Sequence, residues 1–312
     1  MSTAPPGGRI LVIRGGAIGD FILTLPVLAA LRAQFPAARL ELLGYPHIAQ
    51  LAQDAGLVEE VRSIEARALA GFFVERGDLN ADLSAYFARF AVIVSFLYDP
   101  DEVFQENVAR CGGAQFIAAQ HRPDDTKPVH ATEVFLKALE RLAIFGADPV
   151  PRLVLAPTPM TQLPPGRWLA LHPGSGGEHK NWPEAQWAEL LRQLLATSAL
   201  NLLLVGGEAE GARLKRLAAT LPAPRIKVLQ SAPLTDVARQ LKQCVAFVGH
   251  DSGITHLAAA IGLPGLVLWN ETAEAVWHPR SERMLIARKP KGLVVLSAAD
   301  VLGRLHGLLK ML

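Results

Sequence analysis

His250-Asp251-Ser252-Gly253-Ile254-Thr255-His256-Leu257-Ala258-Ala259-Ala260-Ile261-Gly262-Leu263-Pro264 is the stretch on which the fold is decided. The apolar run before it, Cys244 to Val248, reads as a buried parallel strand that Gly249 is expected to break. Asp251 or Ser252 then serves as N-cap to a helix with Ile254, Leu257, Ala258 and Ile261 on one face. Gly262 ends that helix, Pro264 stands beyond it, and a second apolar strand covers Gly265 to Leu268. A helix N-terminus leaving the carboxyl edge of a parallel sheet is where α/β folds place ligands. Its free N–H groups and its dipole suit an anion, most naturally a phosphate.

Outward from this segment, strand and helix alternate along the whole chain. In the first half, strands are predicted at Arg9–Arg14, Arg39–Leu43, Glu60–Ile64, Ala91–Phe96 and Gln115–Ala119. Helical patterns separate them: Gly19 to about Phe35, His47–Ala55, a broken stretch over Glu65–Ala88, and Asp101–Cys111, with Thr132–Phe145 last. Residues 147–166 hold six prolines and no periodicity, so they read as a connection between domains, 1–150 and 151–312. The rhythm then restarts with strands at Trp168–Leu171, Asn201–Val205 and Ile226–Leu229 and helices at Pro183–Leu195, Glu208–Leu221 and Leu234–Lys242. A last amphipathic helix, Ser297–Leu309, is long enough to pack back on the first domain. The expectation is α/β: two doubly wound, Rossmann-like parallel sheets facing a central cleft.

Composition narrows the partners. Net charge is +2 with no run of Lys or Arg, which speaks against nucleic acid. Cys111 and Cys244 stand apart from ligand-spaced partners and are read as structural. A flexible lead over Met1–Gly8 has no apolar signal core, and no stretch approaches membrane-spanning length, so a cytoplasmic protein is expected.

Four turns carry chemistry. Gly15-Gly16-Ala17-Ile18-Gly19-Asp20 follows the first strand, but Ala17 stands where a dinucleotide turn needs its second glycine. Glu41, in the second strand, keeps a nicotinamide or flavin reading open through a ribose contact. Asp20 is either a helix cap or a general base beside glycines that let a substrate approach. In His172-Pro173-Gly174-Ser175-Gly176-Gly177-Glu178-His179-Lys180-Asn181-Trp182-Pro183, the glycines admit an anion and Lys180 adds a mobile charge, unless it is a solvated loop lysine. Gly206-Gly207-Glu208-Ala209-Glu210 offers a carboxylate either to a ribose or to its own helix start. At the fourth turn Asp251 caps or binds, and His256 is either a packed core histidine or a ligand. Asp99-Pro100-Asp101 resembles a metal-binding D-x-D, but a loop with Asp101 as helix cap explains it better.

Together these segments resemble glycosyltransferase family 9, the ADP-heptose:lipopolysaccharide heptosyltransferases. The matching stretches are Ile13 to Pro26, His172 to Pro183, the Gly206-Gly207-Glu208 turn and Asp251 to Ala260. The resemblance implies a GT-B fold and an inverting, metal-independent transfer with no cofactor, from a nucleotide sugar such as ADP-heptose to a glycolipid or glycan acceptor. By resemblance Asp20 is the base and Lys180 counters charge on the departing diphosphate. Gly174, Ser175, Gly206, Glu208, Asp251, Ser252, Gly253, Thr255 and His256 then hold the donor, with Glu208 (or Glu210) on the ribose. Gly16, Arg67 and Arg122 fall near the acceptor. His250 departs from the asparagine frequent in the family, and Trp269-Asn270-Glu271-Thr272 replaces a shorter glycine-containing turn. An acceptor embedded in the inner membrane would bring the enzyme to that surface without an anchor. A nucleotide-sugar epimerase or hydrolase of the same fold, or a non-catalytic nucleotide-sugar binding protein, are the alternatives.

Overall fold

The computed structural model describes residues 8–219 and 221–311. The predicted lead over Met1–Gly8 lies outside them except for Gly8. The chain divides into two compact units, Met1–Pro151 and Arg152–Leu312.

The first unit is built on five parallel strands: β1 (Arg9–Arg14), β2 (Arg39–Gly44), β3 (Glu60–Ser63), β4 (Val92–Ser95) and β5 (Gln115–Ala118), in the spatial order β3-β2-β1-β4-β5. Leu11, Val12 and Ile13 of the central strand are fully buried, as expected of a strand with helices over both faces. The order reverses between β1 and β4. Chains leaving those two strands diverge to opposite sides of the sheet and open a crevice at their carboxyl ends. An aromatic core of Phe72, Phe87 and Phe104 covers one face, with Phe72 and Phe87 rings 4.9 Å apart.

The second unit holds six parallel strands: β6 (Trp168–His172), β7 (Asn201–Gly206), β8 (Ile226–Gln230), β9 (Ala246–His250), β10 (Gly265–Leu268) and β11 (Met284–Ala287), ordered β11-β10-β9-β6-β7-β8. Here the reversal lies between β6 and β9. The loops after those strands are His172 to Trp182 and Asp251 to Gly253, two of the turns singled out from the sequence. The last helix, Ala298–Lys310, places Val301, Leu305 and Leu308 in this unit's own core beside Leu190 and Leu266.

Several elements differ from expectation. Gly249 does not break its strand: β9 runs through it to His250, and a Cβ at 249 would press on the Phe247 ring and His172. The stretch after β3 is a 3-10 segment, Arg67–Phe73, then a short helix, Ala81–Phe87. The helix after β7 begins at Gly211, so Glu208 stands in the turn before it. Asp99, not Asp101, caps the helix Val103–Ala109, taking the N–H groups of Phe104 and Gln105 at 3.1 and 3.0 Å. The edge strand β11 and the one-turn helix Glu274–Trp277 were not foreseen. Among the described residues no helix is long and apolar enough to cross a membrane.

Candidate active site

In the first unit the site grows from the end of β1. Gly16 has φ +95°, in the left-handed region that favours glycine, and a Cβ there would lie 3.1 Å from Asp20 Oδ2. The turn thus brings the chain close over the carboxylate. Asp20 sits in the first turn of the helix Ile18–Gln34, and its Oδ2 accepts the Ala17 N–H at 3.1 Å. The capping reading therefore holds. It leaves Oδ1 unshared by the helix, and the side chain remains 30% exposed, facing an open cavity of about 450 Å³.

Behind Asp20 lies Arg14, part of the Ile13 to Pro26 stretch that carries the family resemblance but a residue to which the sequence assigned no role. It is 3% exposed, and its guanidinium donates to the carbonyls of His121 (2.8 Å) and Asp20 (3.3 Å). One of its nitrogens approaches Asp20 Oδ1 at 3.7 Å, and the group packs over the Phe135 and Phe96 rings. Burial lowers its pKa to about 10, against the opposing pull of Asp20, so it stays cationic at neutral pH. The signal in the sequence was its place in the Ile13 to Pro26 stretch, directly after the apolar run Ile10 to Ile13.

Tyr45, Phe73, Phe96 and His121 form the cavity walls, and Gly16 and Arg122 also line it. Arg122 pairs with Asp125 at 3.0 Å. Arg67 is exposed at the start of its 3-10 segment and does not line the cavity; Phe73, at the other end, does. Glu41 is fully buried, held by Arg9 at 2.7 Å and Arg39 at 2.9 Å, so no ribose can reach it. With it goes the sequence ground for a nicotinamide or flavin enzyme.

In the second unit three turns converge. Lys180 Nζ lies 3.2 Å from Asp251 Oδ2, so it is not a freely solvated lysine but joins the β6 loop to the β9 loop. Ser252, rather than Asp251, is the N-cap of the helix Gly253–Ala260, accepting the Thr255 N–H at 3.3 Å. Thr255 is fully buried, and its hydroxyl donates to the His250 carbonyl, so its polar groups are spent inside the turn. The amides of Ser252 and Gly253 have no acceptor among the described residues. His256 is 6% exposed and engaged with neighbours.

The two candidate ribose carboxylates separate here. Glu210 accepts the Gly207 N–H at 2.9 Å, and its side chain fills the space a Cβ on Gly174 or Gly206 would need. It braces the β7 turn against the glycine loop. Glu208 is exposed in that same turn and remains available to a ligand. Ser175 closes its own loop, donating to the Gly177 carbonyl at 2.7 Å.

His250 proves to be the pin of the assembly. It has no exposed surface; its Nε2 accepts the Trp182 N–H at 2.8 Å, which leaves Nδ1 to donate to the Gly174 carbonyl at 3.0 Å. Both ends of the glycine loop therefore hang on one neutral imidazole. Burial lowers the His250 pKa to about 4, and burial together with His250 lowers that of His172 to about 3.

Residues 160–293 match glycosyltransferase family 9 (heptosyltransferase). Lipopolysaccharide heptosyltransferase 1 of Escherichia coli (strain K12) is 24% identical over 326 residues, covering 96% of this chain and all of that protein. The chain also resembles the solved E. coli ADP-heptose lipopolysaccharide heptosyltransferase II. The TM-score is 0.79 at 19% identity, over 97% of this chain and 99% of that one. A second E. coli heptosyltransferase, solved with ADP-2-deoxy-2-fluoro heptose, gives a TM-score of 0.68 at 21% identity, over 96% and 99%. The likeness to the solved structures is one of fold, two Rossmann-like parallel-sheet units of the GT-B kind.

Proposed function

We propose that the chain is a member of glycosyltransferase family 9, whose model matches residues 160–293, and that it is an inverting transferase moving a heptose from ADP-heptose to a lipopolysaccharide-core or related glycan acceptor. The first unit takes the acceptor and the second the nucleotide sugar. One observation supports the reading: at its topological switch point the first sheet carries a partly exposed carboxylate, and the second carries a lysine paired with Asp251 beside two backbone amides that have no acceptor among the described residues. Asp20 is fixed by Ala17 and backed by Arg14, while Lys180 is held beside the open amides of Ser252 and Gly253.

In the reaction the acceptor hydroxyl oxygen bonds to the anomeric carbon as the bond from that carbon to the diphosphate oxygen breaks. The hydroxyl proton passes to Asp20, and ADP leaves with the bonding pair. Lys180 and the helix N-terminus meet the charge that grows on the diphosphate, where preorganised donors act most strongly. Glu208 takes the ribose hydroxyls. An acceptor anchored in the inner membrane would bring the protein to that surface from the cytoplasmic side.

Asp20→Asn keeps the shape of the carboxylate and removes the base. We expect kcat to fall roughly 10²–10⁴-fold, with ADP affinity unchanged by calorimetry. Wild-type turnover in that variant would refute the base assignment.

A further inference from the structure

Two loops of the second unit are joined by a side chain outside the turns described so far. Arg213 stands in the first turn of the helix Gly211–Ala219, just beyond the Gly206 turn that carries Glu208. Its guanidinium reaches across to the loop that follows β6. There Nη1 donates to the Pro173 carbonyl at 3.0 Å and Nη2 to the Glu178 carboxylate. The arginine is 13% exposed, whereas Glu178 is 80% exposed. A second carboxylate, Glu184, approaches Arg213 Nε at 3.6 Å, but the fork of Arg216 already engages it at 2.8 and 2.7 Å. The two terminal nitrogens of Arg213 are thus committed to the loop.

What Arg213 grips is the turn that presents Lys180. Glu178 opens the 3-10 turn Glu178–Lys180, and Lys180 closes it. The second Glu178 oxygen accepts the Asn181 side-chain amide at 2.9 Å. One carboxylate therefore brackets the lysine, bonded to Arg213 on one side and to the residue after Lys180 on the other. The ends of the loop are fixed separately, by the His250 ring at Gly174 and Trp182. Between those ends the chain is loosely surrounded, and a Cβ on Gly176 would meet open space. Two side-chain bonds tie this middle span to the rest of the unit, Arg213 to Glu178 and Lys180 to Asp251. A departing diphosphate competes for the second of these. The first lies outside that competition.

We propose that Arg213 and Glu178 are positioning residues for Lys180, a clasp that holds its turn in place while the ammonium leaves Asp251 for the diphosphate. The proposal rests on the reading of Lys180 as the cation that meets the leaving group. A clasp of this kind acts on rate through geometry rather than through contact with the substrate. Glu178→Gln tests it at an exposed position, offering one accepting oxygen in place of two. The full chain is given ADP-heptose and deacylated lipopolysaccharide core, and ADP release is followed. The expected kcat falls by up to roughly fivefold, the weight of an exposed ion pair, with ADP Kd unchanged by calorimetry. Arg213→Gln also frees the Pro173 carbonyl and should cost more, roughly tenfold or above. The deciding measurement is the double variant. With Lys180→Gln already present, Glu178→Gln should cost nothing further, because no ammonium remains to be aimed. Losses that multiply in the double variant, wild-type kcat in both Glu178→Gln and Arg213→Gln, or weaker ADP binding at unchanged kcat would each overturn the proposal. A Lys180→Gln variant with wild-type kcat would defeat the leaving-group reading itself, and this proposal with it.

Discussion

At the scale of single residues, two cations divide the labour. Arg14 is buried and bridges two carbonyls, so its fork geometry matters as much as its charge. Arg14→Lys keeps the charge but replaces the fork by a single ammonium. We expect the acceptor KM to rise and kcat to fall roughly tenfold or more, with the donor KM unchanged; a shift confined to the donor KM would contradict a positioning role toward Asp20 and His121. Lys180 differs because it is the more exposed member of its pair with Asp251 and can be shared with a diphosphate. Charge accumulates there only as the leaving group departs. Lys180→Gln should therefore lower kcat by roughly 10²–10³-fold while donor Kd changes less. Equal losses in both, read by calorimetry beside steady-state rates, would mean that Lys180 acts in binding alone.

At the scale of elements, the helix and strand ends were the legible part, and the exceptions have physical causes. The apolar runs of β1, β6 and β7 are buried on both faces, so the pattern named them directly. β11 was missed because its four residues alternate irregularly in exposure and follow a proline-containing turn. The helix cap went to Asp99 because Glu102 adopts φ +58° and turns the chain back over that carboxylate, a conformation invisible in the letters. His250 is the most consequential case. Read as a departure from asparagine, it supplies the same acceptor and donor an asparagine amide would offer, and it adds a titration. Its pKa drops from 6.5 in the unfolded chain to about 4 in the fold. Stability is therefore full above pH 6.5, is lost as pH falls toward 4, and levels off below. For His250 alone the loss is about 3 kcal/mol. Urea denaturation across that window should show the slope, and His250→Asn should reduce it to the part that His172 contributes while keeping the loop closed. An unchanged slope in His250→Asn would assign the effect to His172 or to the carboxylates.

At the scale of the whole molecule, what the letters carried was the order of elements, and that order dictates where sites form. Alternation implied parallel sheets; the reversals between β1 and β4 and between β6 and β9 then locate the carboxyl-edge crevices. The turns at Asp20, Lys180 and Ser252 were found because glycines and N-caps mark such edges locally. Contacts that span the chain were not: Arg14 meets the His121 carbonyl 107 residues away, and Trp182 meets His250 across 68. Nor could a carboxylate's occupation be read, which is why Glu41 remained a candidate until its buried pairing with Arg9 and Arg39 was seen. The two units have separate sheets and separate cores, so each should open to solvent on its own terms. ADP alone therefore offers a clean discrimination between their roles. At roughly 100 times its Kd it adds about 2.7 kcal/mol to whatever must open with the nucleotide bound, near a hundredfold in exchange rate. Hydrogen exchange read by mass spectrometry should slow by up to that factor in the β6 loop, the Gly206 turn, β9 and the helix Gly253–Ala260. β1 and the helix Ile18–Gln34 should exchange as before. Protection centred on Gly15 to Asp20 instead would exchange the roles assigned to the two units, and with them the acceptor proposed for the Asp20 cavity.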